Sequence, residues 1–194
     1  IKNNMIITGP NAAGKTTIIK SIIINLILSQ QIGYGYYDSG EISIYDHIHC
    51  YINIPDSCSR DSLFQSEARR CKDILDAINE NKDKKHFCIF DELYSGTNPY
   101  EAISAACGYL ENLSNNNNVK FILTTHFIRL CKLFINSDDV GNFNMETIID
   151  DGKIKYKYKI QNGISEIKGG MDVLRQLKYP TKIIKRANII LREL

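Results

Sequence analysis

The feature that most constrains the fold of this chain is a loop near its start, Gly9–Thr16. Its residues, Gly-Pro-Asn-Ala-Ala-Gly-Lys-Thr, have the glycine, lysine and threonine spacing of a phosphate-binding loop. The apolar run Met5–Thr8 precedes it, and a helical pattern from Lys15 to about Gln30 follows it. Strand, loop and helix in that order are the context in which such a loop binds a nucleotide, which argues against a chance match.

The residue types of this loop suit an anionic ligand. Backbone N–H groups of the loop and of the following helix N-terminus point toward phosphates, and glycines let the backbone approach without a Cβ in the way. Lys15 supplies a charge for the β- and γ-phosphates, and the Thr16 hydroxyl is suited to Mg²⁺. The predicted nucleotide-binding residues are Gly9, Pro10, Asn11, Ala12, Ala13, Gly14, Lys15, Thr16 and Thr17, the last reaching the α-phosphate.

Strand and helix patterns alternate along the first two thirds of the chain. Strands are predicted at Met5–Thr8, Phe87–Phe90 and Lys120–Thr124, with one or two more within Glu41–Ile54; helices are predicted at Lys15–Gln30, Ser62–Asn79, Tyr100–Leu113 and Phe127–Phe134. This order indicates an α/β fold of the P-loop NTPase type, with a mainly parallel central sheet flanked by helices.

The remaining third has a different pattern. Two β-type segments, Asn144–Asp150 and Lys153–Ile160, flank Asp151 and Gly152, which form a strong hairpin turn signal. The last segment, about 171–194, is typical of two helices, and Pro180 is well placed to open the second.

Polar side chains follow two of the predicted strands. Asp91 and Glu92 end the strand Phe87–Phe90, and His126 follows the strand Lys120–Thr124. In phosphate-loop ATPases an acidic strand lies beside the loop, so we expect Asp91 to hold Mg²⁺ through water and Glu92 to act as general base. Strand ends of a parallel sheet share one edge, so His126 is expected to sense the γ-phosphate or steady the attacking water. A second acid after the metal-binding one favours a hydrolase over a small-molecule kinase.

Composition limits the other functions open to this chain. The formal charge of +2 and the pI of about 8.2 are too mild for a dedicated nucleic-acid surface. Six cysteines without a CxxC pair predict reduced thiols and a cytoplasmic or nuclear location, with no signal peptide and no membrane span. His47, His49, Cys50 and Cys58 fit none of the usual zinc spacings, and the alternation of Ile42, Ile44, His47 and His49 fits strand faces better.

The motifs together resemble those of the C-terminal ATPase domain of the MutS family of DNA mismatch-repair proteins. Gly9–Thr17 looks like the MutS phosphate loop, which also carries Pro-Asn after its first glycine. Asp91–Asn98, Asp-Glu-Leu-Tyr-Ser-Gly-Thr-Asn, is similar to the family's Asp-Glu followed by Gly-Thr, and Thr125-His126 matches its Thr-His. The segment after the acidic pair differs from the commonest Asp-Glu-x-Gly-Arg-Gly-Thr form, as in a divergent MutS-like branch.

The resemblance also implies how the site is completed. Ser62–Glu67 resembles the family's Ser-Thr-Phe-x-x-Glu segment, with Leu63 in place of the usual Thr. Ser62 would then act in trans on the nucleotide of a partner subunit. By the same resemblance, Asn11 would contact phosphate or the catalytic water, and Ile1–Asn4 would lie beside the adenine.

The resemblance covers nearly the whole chain and implies a division into two parts. Residues 1–165 would form the P-loop ATPase domain, and 166–194 a helical, helix-turn-helix-like dimerisation segment. The implied ligands are ATP and Mg²⁺, and the implied partners are a second copy or a MutS-like heterodimer partner. Mismatched or branched DNA would be bound by upstream domains absent from this sequence. Turnover by the domain alone is expected to be slow.

Two other functions fit parts of the same pattern. The first is another ABC-type ATPase of transport, DNA repair or chromosome maintenance, but no LSGGQ-like signature precedes the acidic strand. The second is a nucleotide-binding dimerisation module with little turnover. Intact Lys15, Asp91, Glu92 and His126 argue against it.

Overall fold

The computed structural model describes residues 3–52, 62–150, 153–165, 167 and 170–193. Within them, strands and helices alternate as the sequence predicts. The strands are β1 (Asn4–Thr8), β2 (His47–Tyr51), β3 (His86–Asp91), β4 (Val119–Thr125), β5 (Val140–Asp150) and β6 (Lys153–Asn162). The helices are α1 (Lys15–Ile32), α2 (Leu63–Glu80), α3 (Pro99–Ser114), α4 (Ile128–Leu133), α5 (Gly170–Gln176) and α6 (Thr181–Glu193).

The six strands form one sheet in the order β2-β3-β4-β1-β5-β6. Strands β1 to β5 are parallel to one another, and β6 pairs antiparallel with β5 as the predicted hairpin. The acidic strand β3 is separated from β1 by β4, so it is not the direct neighbour of the strand that leads into the loop. Thr8 of β1 is nevertheless in register with Thr125, and Asp91 with Thr124, so the three strand ends meet at one edge.

The sheet is covered on both faces, which explains the continuous apolar runs of its central strands. Side chains of β3 alternate between the faces: Phe87 and Ile89 pack with α1, whereas Cys88 and Phe90 pack with α2 and α3. On the α1 side the packed residues include Ile19, Ile23 and Leu26, and on the other side Ile74, Ile78, Ala106 and Leu110. The α/β prediction is therefore confirmed.

Helix ends follow the local sequence. Helix α3 begins after Asn98, whose side chain accepts hydrogen bonds from the N–H groups of Tyr100 and Glu101, and Pro99 takes its first position. Helix α1 ends at Gly33, which has φ 74° and donates its N–H to the Ser29 carbonyl. Before α6, the Pro180 carbonyl accepts from the N–H of Ile184, so the proline precedes the helix instead of occupying its first turn.

Some predicted boundaries differ from the structure. Of the described residues 41–52, only His47–Tyr51 form a strand, and α4 is shorter than predicted at each end by one residue. Residues 53–61 and the turn residues 151–152 lie outside the described residues.

The apolar face of α2 contains an unexpected residue. Cys71, Ile74 and Ile78 are buried at helical spacing, as the amphipathic pattern predicts. Glu67 lies on the same face, one turn earlier, and only 3% of it is exposed. A buried carboxylate requires polar partners, which are described below.

The C-terminal helices expose several large apolar side chains. Val173 and Leu177 of the α5 region and Ile183, Ile189 and Ile190 of α6 are exposed. The division at residue 165 and the role of this segment in dimerisation stay predictions. No helix in the part of the chain that the structure describes has the length and apolar character needed to cross a membrane.

We expect Leu110→Ala to lower the free energy of unfolding by about 2–5 kcal/mol, because Leu110 is fully buried between α3 and the sheet. Urea titration would measure this. The control is Leu133→Ala, which truncates an exposed leucine of α4 and should cost less than about 1 kcal/mol. Equal losses for the two variants would contradict the described core.

Candidate nucleotide-binding site

The phosphate-binding loop needs glycine at the start of α1. Gly14 is the residue before the helix and has φ 92°, a backbone conformation that side chains disfavour. A Cβ at Gly14 would lie 3.2 Å from Cδ1 of Tyr158. The glycine therefore allows both the turn into α1 and the close approach of β6.

The Lys15 side chain is held inside this loop. Its Nζ donates to the carbonyls of Gly9 at 2.9 Å and Pro10 at 3.3 Å, and it lies 3.9 Å from Oε1 of Glu92. Burial lowers the pKa of the Lys15 ammonium, although the charges of Glu92 and Asp91 act in the opposite direction. The loop thus carries a cation whose nearest carboxylate is almost 4 Å away.

The first carboxylate of the acidic pair is fixed by two hydroxyl groups. The Thr16 hydroxyl donates to Asp91 Oδ2 at 2.7 Å, and the Thr124 hydroxyl donates to Asp91 Oδ1. The first bond joins α1 to β3 across the intervening end of β4. Hydroxyl and carboxylate oxygens are the ligands that Mg²⁺ prefers, so this pair fits the predicted metal.

The second carboxylate, Glu92, has a strained backbone and two cationic or ionisable neighbours. Its φ is 54°, which is unusual for a residue other than glycine, and such strain is concentrated at functional sites. His126 Nδ1 lies 3.5 Å from Glu92 Oε1. The hydrogen bond from His126 is the main cause that lowers the pKa of Glu92, helped by the charges of His126 and Lys15 and opposed by burial. His126 thus favours the ionised form of Glu92.

Lys15, Thr16, Asp91 and Glu92 line a cavity of about 660 Å³. A second cavity of about 270 Å³ continues on the other side of Asn11 and Glu92. The first is lined by Asn11, Ala12, Gly14, Lys15, Thr16, Thr17, Ile18, Ser21, Asp91, Glu92, Met145 and Tyr158. The second includes Gly9, Pro10, Asn11, Glu92 and His126, with Thr8, Ile128, Tyr156, Ser165, Ile167, Gly170 and Val173.

Among the described residues, Asn3, Asn4, Ala13 and Ser62 are predicted positions that are not part of these walls, and residues 1–2 of the predicted adenine-side segment lie outside the described residues. Ala13 is buried and packs in the hydrophobic cluster beneath α1, so its side chain points away from the cavities. Asn4 lies at the opposite end of β1, where its side chain accepts from the N–H of Phe121. Ser62 lines neither cavity. Its hydroxyl accepts from the N–H of Gln65 at 3.3 Å in a capping box that begins α2.

The hairpin contributes side chains that the sequence pattern missed. The pairing of β5 with β6 shifts between Met145 and Thr147, and the irregular stretch of β6 contains Tyr158, which has φ 55°. This irregularity places the Tyr158 ring against Gly14, and the Tyr156 hydroxyl donates to the Asn11 carbonyl at 3.3 Å. Tyr156 and Tyr158 therefore contact the phosphate-binding loop, although the sequence pattern marked no functional residue on this strand.

The histidines considered for zinc pack against each other at the edge of the sheet. His49 Nε2 lies 3.0 Å from His86 Nδ1, and the rings of His47 and His86 stack at 4.9 Å. Burial, with the charges of the neighbouring histidines, lowers the pKa of His49 to about 4. The described residues contain no group of three or more metal-ligating side chains; Cys58 lies outside them. The five described cysteines are free thiols.

The family model of MutS domain V matches residues 5–194. Similar proteins are the DNA mismatch repair protein MutS of Fusobacterium nucleatum, 32% identical over 100% of this chain, and that of Persephonella marina, 32% identical over 96%. The MutS of Bacteroides thetaiotaomicron is 30% identical over 98%. The chain spans about a fifth of the length of these relatives (21%, 21% and 22%).

We expect His126→Ala to raise the pKa of Glu92 toward its ordinary value of 4.5, because the hydrogen bond that stabilises the ionised carboxylate is lost. A ¹³C NMR titration of the Glu92 carboxyl would measure this. A lowered pKa contributes stability above pH 4.5 that is lost as the pH falls through the folded-state value, so the variant should lose less stability over that range. Lys72→Ala, which removes a charge already paired with Asp76, is the control. An unmoved titration in His126→Ala would contradict the described contact.

Proposed function

Because this chain belongs to the MutS domain V family, we propose that it binds Mg²⁺–ATP and hydrolyses the terminal phosphate. The observation that carries the proposal is the meeting of Lys15, Thr16, Asp91 and Glu92 around one cavity, with Glu92 also lining a second cavity beside His126. These residues come from three elements that are remote in sequence. The arrangement supplies an anion-binding loop, oxygen ligands and a base, which are the parts that phosphoryl transfer to water needs.

The proposed binding mode assigns the phosphates to the loop. The backbone N–H groups after Gly9 and at the start of α1 would donate to phosphate oxygens, and Lys15 would exchange its contacts with loop carbonyls for the terminal phosphates. Tyr158 and Met145 would form the wall beside the adenine ring of the nucleotide, since an aromatic ring can stack on a purine. Thr16 and Asp91 would hold Mg²⁺, which supplies charge neutralisation on the phosphates.

Glu92 is proposed as the general base. Its lowered pKa keeps it ionised near neutral pH, and its position between the two cavities gives it access to water beside a bound phosphate. His126, 3.5 Å away, would hold that carboxylate in place and steady the attacking water. Lys15 would favour the negative charge that develops during the reaction.

The site is proposed to be completed by a second subunit. Ser62 begins α2 at an exposed position and lines neither cavity in its own subunit, which suits a contact in trans. The proposed partner is a second copy or a MutS-like heterodimer subunit. Nucleotide-dependent closure of the dimer would be passed to DNA-clamping parts of a longer protein acting in mismatch repair.

We expect Glu92→Gln to keep ATP binding and to reduce turnover about 10²- to 10⁴-fold, because the amide cannot accept the proton. Phosphate release and equilibrium binding of a fluorescent ATP analogue measure the two quantities. Glu80→Gln, at an exposed glutamate that ends α2, is the control and should behave as the unchanged chain. Near-normal turnover in Glu92→Gln would remove this residue from the base role.

A mixing experiment tests whether the sites are composite. Lys15→Ala and Ser62→Ala should each be nearly inactive alone. In a mixed dimer, the loop of the Ser62→Ala subunit and Ser62 of the Lys15→Ala subunit form one intact site. An equimolar mixture should therefore regain about a quarter of normal turnover if subunits pair at random. Absence of any recovery in a mixture shown to contain heterodimers would refute the trans role.

A further inference from the structure

A buried carboxylate on α2 binds the loop that follows the acidic strand. Glu67 Oε1 accepts hydrogen bonds from the Ser95 N–H at 3.1 Å and the Ser95 hydroxyl at 2.9 Å, and Oε2 accepts from the Gly96 N–H at 3.0 Å. Glu67 is 3% exposed and lines neither cavity of the nucleotide site. Its three contacts all go to one short loop, three and four residues after Glu92.

The same loop also touches the first turn of α2. A Cβ at Gly96 would lie 2.7 Å from both Cγ of Leu63 and the backbone N of Phe64, so the two backbones are in close contact there. Leu93 and Tyr94 bury their side chains in the core, and Tyr94 has φ 57°. The loop is therefore fixed at its base by the core and at its tip by α2.

The Glu67 carboxylate supplies hydrogen-bond acceptors for the polar groups of this loop. Two backbone N–H groups and a hydroxyl converge on it, and hydrogen bonds to an ionised acceptor are about twice as strong as neutral ones. Such bonds offset the cost of burying the charge. An amide in the same place would turn an N–H group toward one of these donors, and the loop would lose at least one of its anchors.

We propose that Glu67 is a positioning residue for hydrolysis, which holds the loop after β3 against the start of α2 and thereby sets the position of Glu92. The inference rests on the proposed function. It also links the proposed trans contact to the proposed base, because Ser62 lies at the start of the helix that carries Glu67 and Glu92 precedes the loop that Glu67 binds. A displacement of the α2 start by a partner subunit would reach the base through these hydrogen bonds.

The test separates the chemical step from binding. Glu67→Gln is expected to lower kcat about tenfold or more, since small misplacements of a catalytic group are costly, while the dissociation constant for a fluorescent ATP analogue changes less than about twofold. Ser95→Ala removes only the hydroxyl contact and should lower kcat by a smaller factor, again without loss of binding. Glu80→Gln on the same helix is the matched control.

Each outcome decides the proposal. If Glu67→Gln is shown by circular dichroism to be unfolded, Ser95→Ala decides alone. Unchanged kcat in the folded variant, or a parallel loss of kcat and ATP binding, would overturn the positioning role. Glu92→Gln is measured in the same assay. If its kcat is also unchanged, the proposed function fails. If Glu92→Gln has lost turnover while Glu67→Gln has an unchanged kcat, only this inference is refuted.

Discussion

The site depends on the register of three parallel strands. Thr8 and Thr125 lie opposite each other, and Thr124 lies opposite Asp91, so the segments that follow β1, β3 and β4 leave the sheet at one edge. The hydrogen bond from Thr16 to Asp91 closes this arrangement, because it joins the first turn of α1 to β3 past the end of β4. A shift of one strand would separate the loop from the acidic pair.

The same edge concentrates groups that are costly to place there. Lys15 is nearly buried, with its charge partly balanced by Glu92 and by two loop carbonyls. Glu92 has a positive φ and is kept ionised by His126. The surrounding covered sheet holds these groups in place, and both lie where they would act on a phosphate and a water molecule.

Two further elements, helix α2 and the β5–β6 hairpin, contact the segments that form the site. Glu67 binds the loop after β3, and Ser62 begins the same helix. From the other side, the irregular β6 strand brings Tyr158 against Gly14. The phosphate-binding loop is thus contacted by β6, while the loop that follows Glu92 is contacted by α2.

The sequence by itself determined the α/β alternation and indicated which polar residues meet at one edge of the sheet, because a phosphate-binding loop and polar strand ends are local patterns with a defined geometry in a parallel sheet. It did not reveal that β4 lies between β1 and β3, since strand order depends on long-range pairing. The contacts of Tyr158 with the phosphate-binding loop and of Glu67 with the loop after β3 also depend on the tertiary structure. Long-range pairing of β6 with β5 brings the tyrosine beside Gly14, and a glutamate on an apolar helix face becomes acceptable only where a distant loop supplies three donors.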